Sequence, residues 1–238
     1  MPKLGVNIDH VATLRQQRHP STLDLLLAAH YCESAGADSI VVHLREDRRH
    51  IQDADVRSLR KSVKTRLNLE MSVASGIVSL AGRFKPDQAT LVPEKRQELT
   101  TEGGLDVFGM KKRVECAVER LKKHNIDVSL FIEPDIKQIR AAHQLGVNIV
   151  ELHTGAYANS FDRRKIKGNL KKIREAVICG HELGLVVNSG HGLDYNNVCA
   201  IAAIPGMYEL NIGYSIVCHA VYVGLKQAVK QMKALIDK

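Results

Sequence analysis

Eight short runs of β-branched and leucine-rich residues, each followed by a longer stretch with helical spacing, constrain this chain more than any other feature. The runs are residues 4–8, 39–44, 67–71, 89–92, 128–132, 149–152, 186–188 and 209–212. Between them, sets such as Leu23, Leu26, Leu27, His30 and Tyr31, or Leu170, Ile173, Val177 and His181, repeat at three- and four-residue intervals, the period of a helix face. Gly36, Asn125, Gly146 and Gly184 stand just before four of the runs, where a left-handed residue turns the chain out of a helix. Ser21 with Asp24 three residues on, and Pro134 followed by Asp135, mark helix starts.

Eight strands alternating with helices in 238 residues match the length of a (β/α)8 TIM barrel, whose parallel strands read as near-continuous apolar runs. An open doubly wound sheet would favour a Gly-x-Gly-x-x-Gly turn after the first strand, and Asn7-Ile8-Asp9-His10 stands there instead. No proline-rich linker or low-complexity segment divides the chain, so one barrel domain over residues 1–238 is expected. Residues 10–20 and 93–106 exceed ordinary barrel connections and predict extra segments, helical ones among them.

No apolar run approaches the ~18 residues of a membrane span, and the N-terminus enters a strand at once, without room for a signal segment. Five cysteines (Cys32, Cys116, Cys179, Cys199, Cys218), odd in number and without a Cys-x-x-Cys pair, fit a reducing cytoplasm. Cys199 and Cys218, in helical stretches, read as small buried hydrophobes. The net charge of +8 calls for anionic partners or a solvated surface, and the lysines of residues 165–172 suit the latter. Only 4% of the residues are aromatic and none is tryptophan, which disfavours a nucleic-acid reader and leaves small phosphorylated molecules as the expected partners.

In a barrel, chemistry is built from the C-terminal ends of the strands. Those ends carry Asn7, Asp9 and His10; His43, Arg45 and the basic 46–50 segment with His50; Glu70; Glu94-Lys95-Arg96; Glu151 and His153; Asn188 and His191; Asn211 and Gly213. One polar residue in a strand is ordinarily a satisfied core group, but seven strands ending this way point to an acid/base site that moves several protons. His10, His43, His153, His191, Glu70 and Glu151 are also potential ligands; no two share a short ligand motif, so no metal is expected. Ser189-Gly190-His191-Gly192 and Asn211-Ile212-Gly213-Tyr214-Ser215 offer backbone N–H groups to anions, and with Arg18, Arg45 and His50 they allow two phosphate pockets.

The runs GVNIDH (5–10), VHLREDRRHI (42–51), NLEM (68–71), LVPEKRQELTTEGG (91–104), ELHTG (151–155) and GHGL (190–193) closely resemble the pyridoxine 5′-phosphate synthase family of vitamin B6 biosynthesis, nearly end to end. The resemblance implies condensation of 1-deoxy-D-xylulose 5-phosphate with 3-amino-2-oxopropyl phosphate to pyridoxine 5′-phosphate, phosphate and water, without a cofactor. By the same likeness His43 and Glu70 are proton acceptors, His191 is the proton donor, and Glu151 stabilises charged intermediates. Asp9, His10, Arg45, His50 and Thr100 would hold the deoxyxylulose phosphate; Asn7, Arg18, Gly192, Gly213 and Tyr214 would hold the amino-ketone phosphate. The resemblance also suggests a homo-octamer. Two positions depart from it: Tyr214, followed by Ser215, replaces a frequent histidine, and His219 a frequent arginine, which is tolerable if backbone N–H groups hold the phosphate. The long 93–106 segment, with Thr100, Thr101 and Gly103-Gly104, is expected to be a lid hinged at the glycine pair that keeps water from an imine intermediate.

Overall fold

The computed structural model describes residues 1–18, 22–94 and 103–238. Its strands are β1 (Lys3–Asn7), β2 (Ser39–His43), β3 (Arg66–Met71), β4 (Gln88–Leu91), β5 (Asp127–Ile132), β6 (Ile149–His153), β7 (Val186–Gly190) and β8 (Met207–Ile212). They pair in parallel in chain order, and β8 pairs with β1, closing a TIM barrel. The helices are α1 (Asp9–Gln16), α2 (Leu25–Ser34), α3 (Asp53–Ser62), α4 (Ser75–Phe84), α5 (Lys111–Lys122), α6 (Ile136–Gln144), α7 (Gly155–Ala158), α8 (Arg163–Glu182), α9 (Val198–Ala202), α10 (Tyr214–Val223) and α11 (Leu225–Ile236). Each expected run is a strand. Helix α1 fills most of the long 10–20 connection, and α7 and the α10–α11 pair are the other additions to the strand–helix alternation.

Local chemistry sets the element ends. Gly36, Asn125, Gly146 and Gly184 have φ of +102°, +57°, +68° and +73°, the left-handed exits anticipated from the sequence. Asp135 caps α6 by accepting from the Lys137 N–H. Helix α2 starts later than the Ser21 reading: Asp24 is its cap and accepts from the Leu26 and Leu27 N–H groups, while Ser21 lies outside the described residues. The face that α2 buries is Leu25, Ala28, Ala29 and Cys32, whereas Leu23, Leu26, Leu27 and Tyr31 stay exposed. The helix has two apolar stripes, and the one with small side chains packs inward.

The helix-facing side of the strands is largely apolar, whereas the other side mixes polar residues with a few apolar ones such as Val41, Phe131 and Ile149. Leu67, Leu69 and Met71 join the hydrophobic core beneath the helices, while Asn68 between them accepts from the Thr90 hydroxyl, which in turn accepts from Gln88. Arg66 pairs with Glu209 between β3 and β8, strands that are not neighbours, so this pair spans the barrel interior. Ser39, Ser129 and Asn188 are likewise buried polar residues of the strands. The continuous apolar runs expected for a barrel are therefore interrupted at alternate positions, and a polar interior leads up to the mouth.

Cys199 and Cys218 are exposed, not buried as expected: α9 buries Val198 and Ile201, and α10 buries Ile216 and Val217, which turns both thiols outward. Thr100, Thr101 and the rest of residues 95–102, the centre of the expected lid, lie outside the described residues. At the returning end, Gly104 donates its N–H to Glu133 Oε1 at 2.9 Å. A Cβ on Gly104 would stand 2.2 Å from the Glu133 nitrogen, so the position expected as a hinge is a close-packed foot on the end of β5. Among the described residues no helix is long and apolar enough to cross a membrane.

Candidate active site

The first strand ends in a small hydrogen-bonded knot. Asn7 Nδ2 donates to Asp9 Oδ2 at 2.9 Å, and the Asp9 N–H donates to Asn7 Oδ1 at 2.9 Å. Asp9 Oδ1 then accepts the His43 backbone N–H at 2.8 Å, tying the ends of β1 and β2 together. His43, buried, faces Glu94 through Nε2 at 3.0 Å, and the other Glu94 oxygen accepts the Glu46 N–H at 2.9 Å. Burial alone would raise the Glu94 carboxyl, but these two bonds, with the nearby Arg45, outweigh it and hold the group below its ordinary range. His50 lies 6.2 Å from His43, ring to ring, and burial lowers its pKa against the pull of Asp9. Arg45 is buried and ion-paired to Asp47 at 3.5 Å.

Glu70 and Glu151 occupy the barrel mouth as carboxyls that resist ionisation. Burial, followed by the negative charges of Glu151 and Asp9, raises Glu70 well above the usual carboxylate range. Glu151 is pushed up to about 8, chiefly by burial, although Asn211 Nδ2 donates to its Oε2 at 2.7 Å. Gly190 makes room for it: a Cβ there would lie 2.1 Å from Glu151 Oε1. The potential ligand atoms of Asp9, His43 and Glu70 all lie within 4.8 Å of one another, the arrangement a divalent cation would use. Both Asp9 oxygens already accept hydrogen bonds and His43 Nε2 is engaged by Glu94, so this donor set suits proton sharing better than metal ligation.

The later strands supply two backbone cradles. His191 and Gly192 have consecutive positive φ values of +80° and +76°, turning the chain sharply after β7, and Thr154 Oγ1 braces that turn by donating to the carbonyls of Gly190 (2.7 Å) and His191 (2.6 Å). Gly213 caps the start of α10 directly beside Asn7, whose Cβ and carbonyl would be 2.8 and 2.9 Å from any Cβ at Gly213. Ser215 Oγ donates to the Leu193 carbonyl at 2.7 Å, joining the two cradles. The His191 pKa falls to about 4, first through burial and then through the neighbouring His153, so the free protein holds this ring neutral at pH 7.

Residues 4–238 match the family described as pyridoxal phosphate biosynthesis protein PdxJ. The chain belongs to this family. It is 53% identical over 236 residues to the pyridoxine 5′-phosphate synthase of Geotalea daltonii and 50% identical over 236 residues to that of Syntrophotalea carbinolica, covering 99% of both chains in each case. Among solved structures the KGPDC of Streptococcus mutans superposes with a TM-score of 0.63 at 14% identity, over 100% of this chain and 98% of the other, a likeness of fold.

In this PdxJ-family barrel the contacts join Asn7, Asp9, His43 and Glu70 with Glu151 on one mouth. His10 stands 5.2 Å from the Tyr214 ring, so the two sets of residues expected for the two phosphates adjoin there. Arg18 ends exposed beyond α1, and no contact joins its side chain to the others among the described residues; Thr100 lies outside them. Tyr214 is 69% exposed, which leaves the backbone of Gly213 and Tyr214, rather than the phenol, as the enclosed part of that turn. The departure at His219 places that ring against Tyr195 and Gln231. Sequence reading noted Glu94 and His153 without giving them a role, and passed over Glu133, the carboxylate directly after β5 in Ile132-Glu133-Pro134. Its signal was position alone, the same strand-end place that supplied the other candidates.

Proposed function

We propose that this protein condenses 1-deoxy-D-xylulose 5-phosphate with 3-amino-2-oxopropyl phosphate to give pyridoxine 5′-phosphate, phosphate and water. The observation that carries the reading is the convergence of Asp9, His43, Glu70 and Glu151 between two anion-ready backbone turns. Imine formation, loss of phosphate and ring closure move protons repeatedly, and a cluster of carboxyls and imidazoles of unequal basicity serves such a sequence. The name carried by relatives at 50–53% identity supports it too.

His43 and Glu70 take protons, Glu151 stabilises charged intermediates, and His191 delivers a proton to a leaving group. Asp9, His10, Arg45, His50 and Thr100 hold the deoxyxylulose phosphate. Asn7, Arg18, Gly192, Gly213 and Tyr214 hold the amino ketone, its phosphate received by backbone N–H groups at the α10 start. The enzyme works in the cytoplasm on small phosphorylated molecules, as a homo-oligomer, with no nucleic acid or membrane partner. Incubating the purified protein with both substrates and following pyridoxine 5′-phosphate absorbance with phosphate release tests the reading; a wild-type protein that makes neither product overturns it.

A further inference from the structure

A histidine that accepts protons must do so at a ring nitrogen with a free lone pair, and the ends of β2, β3 and β4 decide which nitrogen of His43 that is. The Leu44 N–H donates to the Glu70 carbonyl at 3.0 Å and the Val92 N–H to the Met71 carbonyl at 2.9 Å, so strand pairing runs on past β2 and β4, on either side of β3. Two residues after Val92, Glu94 places its Oε1 3.0 Å from His43 Nε2. Its Oε2 accepts the Glu46 N–H at 2.9 Å, and Glu46 Oε1 accepts the Ser72 hydroxyl at 2.8 Å, which ties the exits of all three strands together. The His43 and Glu94 side chains are each 7% exposed, so little water competes for their contact.

An ionised carboxylate can only accept hydrogen bonds, and Glu94, despite burial, is held below its ordinary range by its bonds to His43 and Glu46. Nε2 of His43 must then carry a hydrogen. Nδ1, which no hydrogen bond engages among the described residues, keeps the lone pair. We propose that Glu94 is a positioning residue that fixes the tautomer of His43, so that His43 takes protons at Nδ1. The proposal rests on the reading of His43 as a proton acceptor. When a substrate proton moves onto Nδ1, the Nε2–H stays with Glu94, and the positive charge gained by the ring lies against that carboxylate instead of being stranded in a buried site.

A carboxamide at this position reverses the arrangement. The single carbonyl oxygen of Glu94→Gln can serve one donor; the Glu46 N–H can only donate, whereas the imidazole can switch tautomer, so the oxygen stays with Glu46 and the NH2 group turns to Nε2. The tie to Glu46 is kept, and only the end facing His43 changes. Magic-angle-spinning NMR of sedimented protein labelled with 15N-histidine, with the His43 signals identified by their loss in His43→Asn, reads which ring nitrogen bears the hydrogen at neutral pH. Wild type should carry it on Nε2 and Glu94→Gln on Nδ1. In turnover, Glu94→Gln should lower kcat about a hundredfold with both KM values within about twofold of wild type. A wild-type ring with its hydrogen on Nδ1, or on both nitrogens, would overturn the proposal. An unmoved tautomer in folded Glu94→Gln would do the same, as would turnover that holds or rises there, the mark of a structural tie or of a block on His43. Should the wild-type protein make no pyridoxine 5′-phosphate, the proposed function falls, while the two tautomers still judge the Glu94–His43 pair.

Discussion

At Glu70 and Glu151 burial makes two carboxyls resist ionisation, and this carries consequences for rate and for stability. A carboxyl raised by burial becomes a strong base once substrate chemistry or a nearby cation ionises it, so Glu70→Gln, which preserves shape, should lower turnover at least about a hundredfold while circular dichroism stays unchanged. Near-normal turnover would remove Glu70 from the mechanism. Glu151, at about 8 in the folded protein against an ordinary 4.5, binds a proton that the unfolded chain has already released. Its contribution to stability is therefore whole below pH 4.5, declines as pH rises toward 8, and is fully lost above that. Glu151→Gln lacks this loss. Its advantage over wild type, read as a higher Tm, should grow through that window, be largest near pH 9 and vanish near pH 4.5. A Tm difference independent of pH would contradict the assignment. Both glutamates were legible as lone acids in apolar strands; their mutual influence was not, because it depends on which strands face each other across the barrel.

Strand and helix ends explain why so much of the architecture could be read in advance. Gly36, Asn125, Gly146 and Gly184 are local signals: the backbone they must adopt is set within a few residues, and each has the positive φ expected of it. The faces of α2 were harder, because spacing identifies an apolar stripe but cannot say which of two stripes the barrel takes. Glu133 and Glu94 were obscured for a related reason, since a carboxylate becomes a partner of a histidine only when two strand ends meet. At the end of β7, Gly190 packs directly against the Glu151 carboxylate and the Asn211 carbonyl, at 2.1 and 3.2 Å from where a Cβ would sit. Gly190→Ala must therefore displace Glu151 or bend the strand, and should cost about 1–3 kcal/mol in urea unfolding along with most of the activity. Ser189→Ala, one residue earlier, gives up only a 3.3 Å contact from its hydroxyl to the Met207 sulfur and serves as the control. Equal stability and turnover in the two variants would show that the close approach at Gly190 does not matter.

For the molecule as a whole, three helices carry six of the exposed large apolar residues. Leu14 of α1, Leu27 and Tyr31 of α2, and Tyr214, Val221 and Tyr222 of α10 are 53%, 46%, 42%, 69%, 74% and 86% exposed. Helix α1 packs against both α2 and α10, so the three helices that carry these residues are neighbours. An exposed apolar area of this kind, which none of the described residues covers, would suit contact with another molecule. A second copy of the same chain is the partner that the octamer expectation supplies. Leu27→Glu combined with Tyr222→Glu should lower the mass measured by light scattering or sedimentation without disturbing the barrel, because neither side chain is part of the core. Arg18 follows α1 and Tyr214 opens α10, so if these two residues hold the amino-ketone phosphate as proposed, dissociation should also raise KM for it more than for the deoxyxylulose phosphate. An unchanged mass in the folded double variant would show that this face is not the interface, and an unchanged KM on dissociation would separate assembly from the site.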